Sequence, residues 1–212
     1  VCPGQALRLV GTYYPVKDLV EILLQDSLLY RYSEGGVTLS GGECALYANY
    51  VGRLAKALKT ESIHVTIETS GFFEYGRFAE QILPHVDLVY YDLKIADAAG
   101  HKLRTGRRNG RILGNFRRLM TERPESVHPR IPLIPTITTT KENLSAIVRF
   151  LKECGAAKVS LLPYNPCGLE KYPRLGKPAP PLPRSFMAPE DEEAIFSMFG
   201  KLISEVTEDL PP

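Results

Sequence analysis

Cysteine is scarce in this chain, and what there is lies scattered. The four cysteines, Cys2, Cys44, Cys154 and Cys167, are far apart in 212 residues. That spacing argues against the disulfide framework of a secreted domain and favours a reducing compartment, the cytoplasm. An excess of charge is also lacking. The 26 basic and 24 acidic residues leave a net charge of +2, so the global balance attracts neither nucleic acid nor an acidic membrane surface. No apolar run approaches the ~20 residues of a membrane-spanning helix, and no self-similar period marks a repeat architecture. The chain opens on Val1-Cys2-Pro3-Gly4-Gln5, with neither an initiator methionine nor a charged-then-apolar signal region, and reads as the cut end of a longer chain. What is present is a hydrophobic content of 44%, ample for one sizeable core.

Apolar spacing along the chain alternates between the two regular periods. Helical spacing is found over residues 14–29, 45–58, 72–83, 110–121, 141–154 and 189–208, and Pro84 is expected to stop the third of these. Between them lie apolar runs that read as strands over 36–40, 63–68, 86–93, 130–134 and 159–162. Strands and helices in regular alternation imply an α/β fold with a parallel sheet. Two stretches depart from the pattern. Six prolines between 172 and 189 predict an extended, partly polyproline loop across the mouth of the domain. Residues 102–123 carry eight basic side chains against Glu122 alone. They read as a solvated basic face, or as a dock for an acidic partner or anionic ligand.

In a parallel α/β sheet, ligands gather at the carboxyl ends of the strands, where the loops open. The strand ends here are polar: Ser40-Gly41-Gly42-Glu43, Glu68-Thr69-Ser70-Gly71, Asp92-Leu93-Lys94 and Pro163-Tyr164-Asn165. Three carboxylates, a lysine and an amide suit a zwitterionic ligand with extra positive charge. Gly41 and Gly42 let the backbone approach that ligand closely.

These ends, in order with His101, Thr105-Gly106, Asn109 and Arg130-Ile131-Pro132-Leu133-Ile134-Pro135, resemble the activating enzymes of glycyl radical enzymes, in the radical S-adenosylmethionine family. The resemblance covers about residues 12–172. It implies a partial (β/α)6, TIM-like barrel over residues 12–212. It also implies a [4Fe-4S] cluster that reductively cleaves S-adenosylmethionine, giving a 5′-deoxyadenosyl radical that takes hydrogen from a glycine of a partner enzyme. The implied partners are a glycyl radical enzyme and an electron donor of flavodoxin or ferredoxin type. In the carry-over, Gly41, Gly42 and Glu43 hold the methionyl amino group. Glu68, Thr69 and Asp92 hold a monovalent cation, Lys94 reaches the cofactor carboxylate or the ribose hydroxyls, and Arg130 pairs with that carboxylate or supports the pocket. Asn165 stands where many relatives have histidine and bonds the ribose.

The family supplies its cluster through Cys-x3-Cys-x2-Cys, and this chain has no such run. Cys2-Pro3 resembles the tail of a ferredoxin-type run, so residues 1–11 are expected to be the end of an inserted domain with Cys2 on an auxiliary [4Fe-4S] cluster. The chain by itself is then expected to be inactive. Two other readings remain open: a non-redox barrel that binds S-adenosylmethionine or a protein, and an unrelated lyase or isomerase using Glu43, Glu68, Asp92 and Lys94 as acids and bases.

Overall fold

The computed structural model describes residues 11–208, with side chains through 204. Cys2 and its proposed auxiliary cluster lie outside the described residues. Helices α1 (Val16–Leu24) and α2 (Ser27–Ser33) precede β1 (Gly36–Leu39), and a 3-10 turn at Cys44–Tyr47 leads into α3 (Ala48–Thr60). After β2 (His64–Thr69) come α4 (Tyr75–Arg77), a π turn at Phe78–Ile82 and a 3-10 turn at Leu83–His85. Next are β3 (Leu88–Asp92), α5 (Ala98–Thr105), α6 (Gly110–Glu122), β4 (Val127–Pro132), α7 (Lys141–Glu153) and β5 (Ser160–Leu162). The short α8 (Lys171–Arg174) and the long α9 (Pro189–Glu208) close the chain.

The strands form one parallel sheet in the order β1-β2-β3-β4-β5, each beside its sequence neighbour. The α/β reading therefore holds. Five strands of the six that the resemblance implies are among the described residues. Alternation along the strands sorts the side chains onto two faces. Val65, Ile67, Val89, Tyr91 and Ile131 are fully buried on the helix side, where α3 contributes Leu54, Ala55 and Leu58 and α7 contributes Leu144, Ile147 and Val148. The opposite face carries His64, Thr66, Glu68, Tyr90, Asp92, His128, Arg130 and Ser160, most of them only half-buried.

Several local expectations shift. The helix expected over 14–29 breaks at Gln25–Asp26, because Asp26-Ser27 favours a helix start over a helix interior. Pro84 does not end a helix. It sits in the first turn of Leu83–His85, where no N–H donor is required. The fourth strand begins at Val127 rather than Arg130. Pro129 hid that start, since proline normally argues against a central strand. Register explains the exception. Arg130 O accepts from Leu93 N on the β3 side, so the missing N–H of Pro129 faces the β5 side. There β5 begins only at Ser160, opposite Arg130. The proline-rich stretch starts with α8 and then runs irregularly over 175–188, pinned by the Tyr164 hydroxyl donating to Pro183 O at 2.8 Å.

Candidate functional site

The carboxyl ends of β1, β2, β3 and β4 bring together Ser40, Glu68, Asp92, Lys94 and Arg130. In the parallel register Asp92 lies opposite Arg130 and Glu68 opposite Tyr90, so all five side chains rise on the open face. Arg130 links two carboxylates. Its Nη1 is 2.7 Å from Glu68 Oε1, and its Nε and Nη2 are each 3.1 Å from Asp92 Oδ1. Lys94 Nζ takes the other oxygen of Asp92 at 3.1 Å, and Ser40 Oγ donates to Glu68 Oε2 at 2.5 Å. The Ser40 hydroxyl, together with the Arg130 guanidinium, holds Glu68 below the ordinary carboxylate range against the opposing effect of burial.

The row extends down the same face. The Arg130 guanidinium carbon lies 4.6 Å from the Tyr90 ring centre, within cation–π range. Tyr90 meets the His128 ring edge-on at 5.6 Å, and His128 Nε2 pairs with Ser160 Oγ at 2.8 Å. Burial, with Lys158 and Arg130 nearby, pushes His128 towards its neutral form. Sequence reasoning missed Tyr90, His128 and Ser160. Alternation from Arg130 would have found His128, had the strand start not been masked by Pro129.

In the Gly-Gly-Glu turn the carboxylate is engaged by the protein itself. Glu43 caps the turn at Cys44–Tyr47, accepting from Ala45 N at 3.4 Å. It also accepts from Thr69 Oγ1 at 2.8 Å, Ser70 N at 2.9 Å and Ser70 Oγ at 2.6 Å. Four donors occupy the acceptor sites that a carboxylate has, so the groups of this turn left for a ligand are backbone carbonyls. Gly41 has φ +128°, in the region that favours glycine. A Cβ built at Gly42 meets no protein atom within 4 Å.

Thr69 faces the helix side, buried, with its hydroxyl on Glu43. It does not join Glu68 and Asp92, whose charges are met by Arg130 and Lys94. Among the described residues no group of three or more His, Cys, Asp or Glu is arranged to hold a metal ion. Asn165 is exposed and its Oδ1 accepts from Cys167 N at 2.9 Å, capping the next turn. Cys44 lies between the ends of β1 and β2, its thiol 3.6 Å from Leu39 O and 3.5 Å from Glu68 O. Burial, with Glu43 nearby, pushes that thiol up to about 11, the opposite of a metal-binding thiolate. Cys154 is half-buried and Cys167 exposed.

Two asparagines set the loop after β3. Asn143 Nδ2 donates to Lys94 O and Thr138 O, each at 2.9 Å, while its Oδ1 accepts from Ala96 N at 2.9 Å. Asn109 Nδ2 donates to Ile95 O at 3.0 Å and Ala96 O at 2.7 Å. His101, buried in α5, braces the following turn through Nδ1, 2.7 Å from Arg107 O. Much of the basic run is engaged. Arg111 lies over Phe72, while Arg117 covers Phe150 and reaches Glu153. Arg118 covers Tyr75 and approaches Glu122. Residues 102–108 stay exposed.

No family model matches the chain. It is 36% identical over 181 residues to the isethionate sulfite-lyase activating enzyme of Desulfovibrio desulfuricans, covering 85% of this chain and 58% of that protein. It is 35% identical over 166 residues to the pyruvate formate-lyase-activating enzyme of Clostridium pasteurianum, covering 78% of this chain and 68% of that protein. The crystal structure of a domain of pyruvate-formate lyase-activating enzyme from Bacteroides vulgatus superposes with a TM-score of 0.60 at 22% identity, over 79% of this chain and 94% of that one. The chain thus spans somewhat more than half the length of several relatives it matches. By sequence, supported by the same fold, it belongs to the activating enzymes of glycyl radical enzymes.

Proposed function

We propose that this chain is the S-adenosylmethionine-binding barrel portion of an activating enzyme whose protein substrate is a glycyl radical enzyme. The observation that carries the reading is the row Glu68–Arg130–Asp92–Lys94, raised at the carboxyl ends of three neighbouring strands. Such a row offers cations for the cofactor carboxylate and anions for its amino and sulfonium charges. Lys94 and Arg130 would meet the carboxylate. The backbone carbonyls of Gly41 and Gly42 would accept from the amino group, with Glu43 fixing their turn rather than touching the ligand. Asn165 Nδ2 is the group of that side chain left to reach a ribose. No pocket for a monovalent cation is part of this reading, because Arg130 supplies the charge that Glu68 and Asp92 need.

The described residues fit S-adenosylmethionine but not the cluster, since their three cysteines are separate and Cys44 is held as a thiol. No step is therefore assigned to a cluster here. In the reading proposed, the bound cofactor supplies a 5′-deoxyadenosyl group for hydrogen-atom abstraction from a glycine of the partner. An electron donor of flavodoxin or ferredoxin type and a cytoplasmic location accompany it.

Calorimetric titration with S-adenosylmethionine and with S-adenosylhomocysteine, which lacks the sulfonium charge, tests the site. The first should bind more tightly, and Lys94→Ala should weaken it about tenfold, the range for losing a charged hydrogen bond. Equal binding of the two ligands, or unchanged affinity in Lys94→Ala with lowered thermal stability, would assign the row to structure alone.

A further inference from the structure

A second hollow lies on the helix side of β3, behind the row just described. This cavity of about 540 Å³ is lined by Leu93 from the strand end, Ile112 and Leu113 of α6, and Ile147 and Phe150 of α7. Its wall takes in Asp92 and Lys94 but not Glu68, Tyr90 or Arg130, so it adjoins the row at that one end. Protein interiors leave few voids larger than a water molecule. An apolar hollow of this size falls within the range of small-molecule pockets.

Two polar features define what it would take. The first is His101, 6% exposed and in the cavity wall. Its Nδ1 faces Arg107 O at 2.7 Å, a contact that needs a proton on Nδ1, and Thr105 Oγ1 lies 3.0 Å from the same nitrogen. In the neutral ring Nε2 is then a lone-pair acceptor, and it has no hydrogen-bond partner among the described residues. The second is a pair of arginines, Arg107 from the turn after α5 and Arg149 from α7, both in the wall and both exposed. Neither has an acidic partner among the described residues, whereas the one carboxylate on the α7 side, Glu153, is engaged by Arg117 at 3.6 Å.

We propose that this cavity binds a small amphiphilic monocarboxylate that also bears a hydroxyl group. Its hydrocarbon body fills the space between α6 and α7, its carboxylate pairs with Arg107 and Arg149, and its hydroxyl donates to His101 Nε2. The two arginines select an anion over a neutral or cationic ligand of the same shape. The proposal stands beside the S-adenosylmethionine reading rather than on it: Asp92 and Lys94 are shared, but His101, Arg107 and Arg149 are not part of the row.

The probe is 3-(4-hydroxyphenyl)propionate, titrated into the protein by calorimetry and followed by the ¹⁵N shift of His101 Nε2. Saturable binding with a shift at that nitrogen is expected. The primary amide of the same acid should bind about tenfold more weakly, matching the loss of a charged hydrogen bond, and 3-phenylpropionate should leave the His101 signal in place. Arg149→Gln should reproduce the amide's loss, while Ile147→Trp should fill the space and abolish binding. Leu113→Trp is a second filling variant from the other helix, should the first misfold. Acid and amide binding alike, binding that survives both fillings, or no binding at all would each overturn the proposal.

Discussion

At the residue scale, Glu43 and Cys44 show how one turn serves a site without lending it a side chain. Glu43 spends its acceptor capacity on the backbone and hydroxyls of the neighbouring strand end, tying the β1 loop to the β2 loop. Replacing it by glutamine keeps the shape but turns one acceptor into a donor facing Ser70, which already offers two donors. Glu43→Gln should therefore cost stability, about 1–3 kcal/mol by urea unfolding, even without ligand. An unchanged unfolding midpoint would return Glu43 to the list of groups free to bind a cofactor. Cys44 gives an independent check. Its thiol, pushed up to about 11, holds almost no thiolate at pH 8, whereas Cys167 is exposed. Brief iodoacetamide treatment at pH 8 should thus modify Cys167 and spare Cys44, as read by peptide mass spectrometry.

At the scale of elements, the decisive piece is the loop after β3, because it aims Lys94 and roofs the second cavity. Asn143 at the start of α7 holds three of its surrounding backbone groups, and Asn109 holds two carbonyls from the other side. Asn143→Ala would leave buried donors and acceptors unpaired. It should lower stability by about 2–4 kcal/mol and speed amide exchange at Ala96 in particular. Exchange that rises evenly over the chain would make Asn143 an ordinary core residue. How legible this was in the sequence follows the same division. The strand ends, Glu68 and the Asp92-Leu93-Lys94 alternation could be read because period-two patterning fixes their faces. Leu93 turns to the core, and its flanking residues turn to the open face. Asn143 could not be read, since an asparagine in the first turn of a helix looks like any surface residue until Lys94 and Ala96, from a loop far away in sequence, are brought to it. The contacts of Glu43 could not be read for a related reason. A carboxylate after two glycines signals its position, but how many donors will meet it depends on the neighbouring strand.

At the scale of the whole molecule, the sheet divides an apolar face packed by helices from a polar face whose charges neutralise one another across strands. Arg130 lies between Glu68 and Asp92 in the pairing and bridges the two carboxylates. Its side chain is 13% exposed, so its removal strands two carboxylates that solvent only partly reaches. Arg130→Met should lower stability at neutral pH by about 2 kcal/mol, allowing for solvent screening at Glu68. The pH dependence separates this from a simple packing loss. Glu68 titrates below its ordinary value of 4.5 in the folded protein, so its contribution is fully present above that value and is lost as pH falls through the lowered one. In Arg130→Met the guanidinium's share of the lowering is gone while the Ser40 hydrogen bond stays. Protonating Glu68 then removes a smaller favourable contribution than in the parent protein. Urea unfolding of both proteins between pH 3 and 7 should show the stability gap widest at neutral pH and closing below about 4.5. A gap that stays constant over that range would mean that Arg130 stabilises the sheet through its stacking on Tyr90 alone, with the ion pairs contributing nothing net.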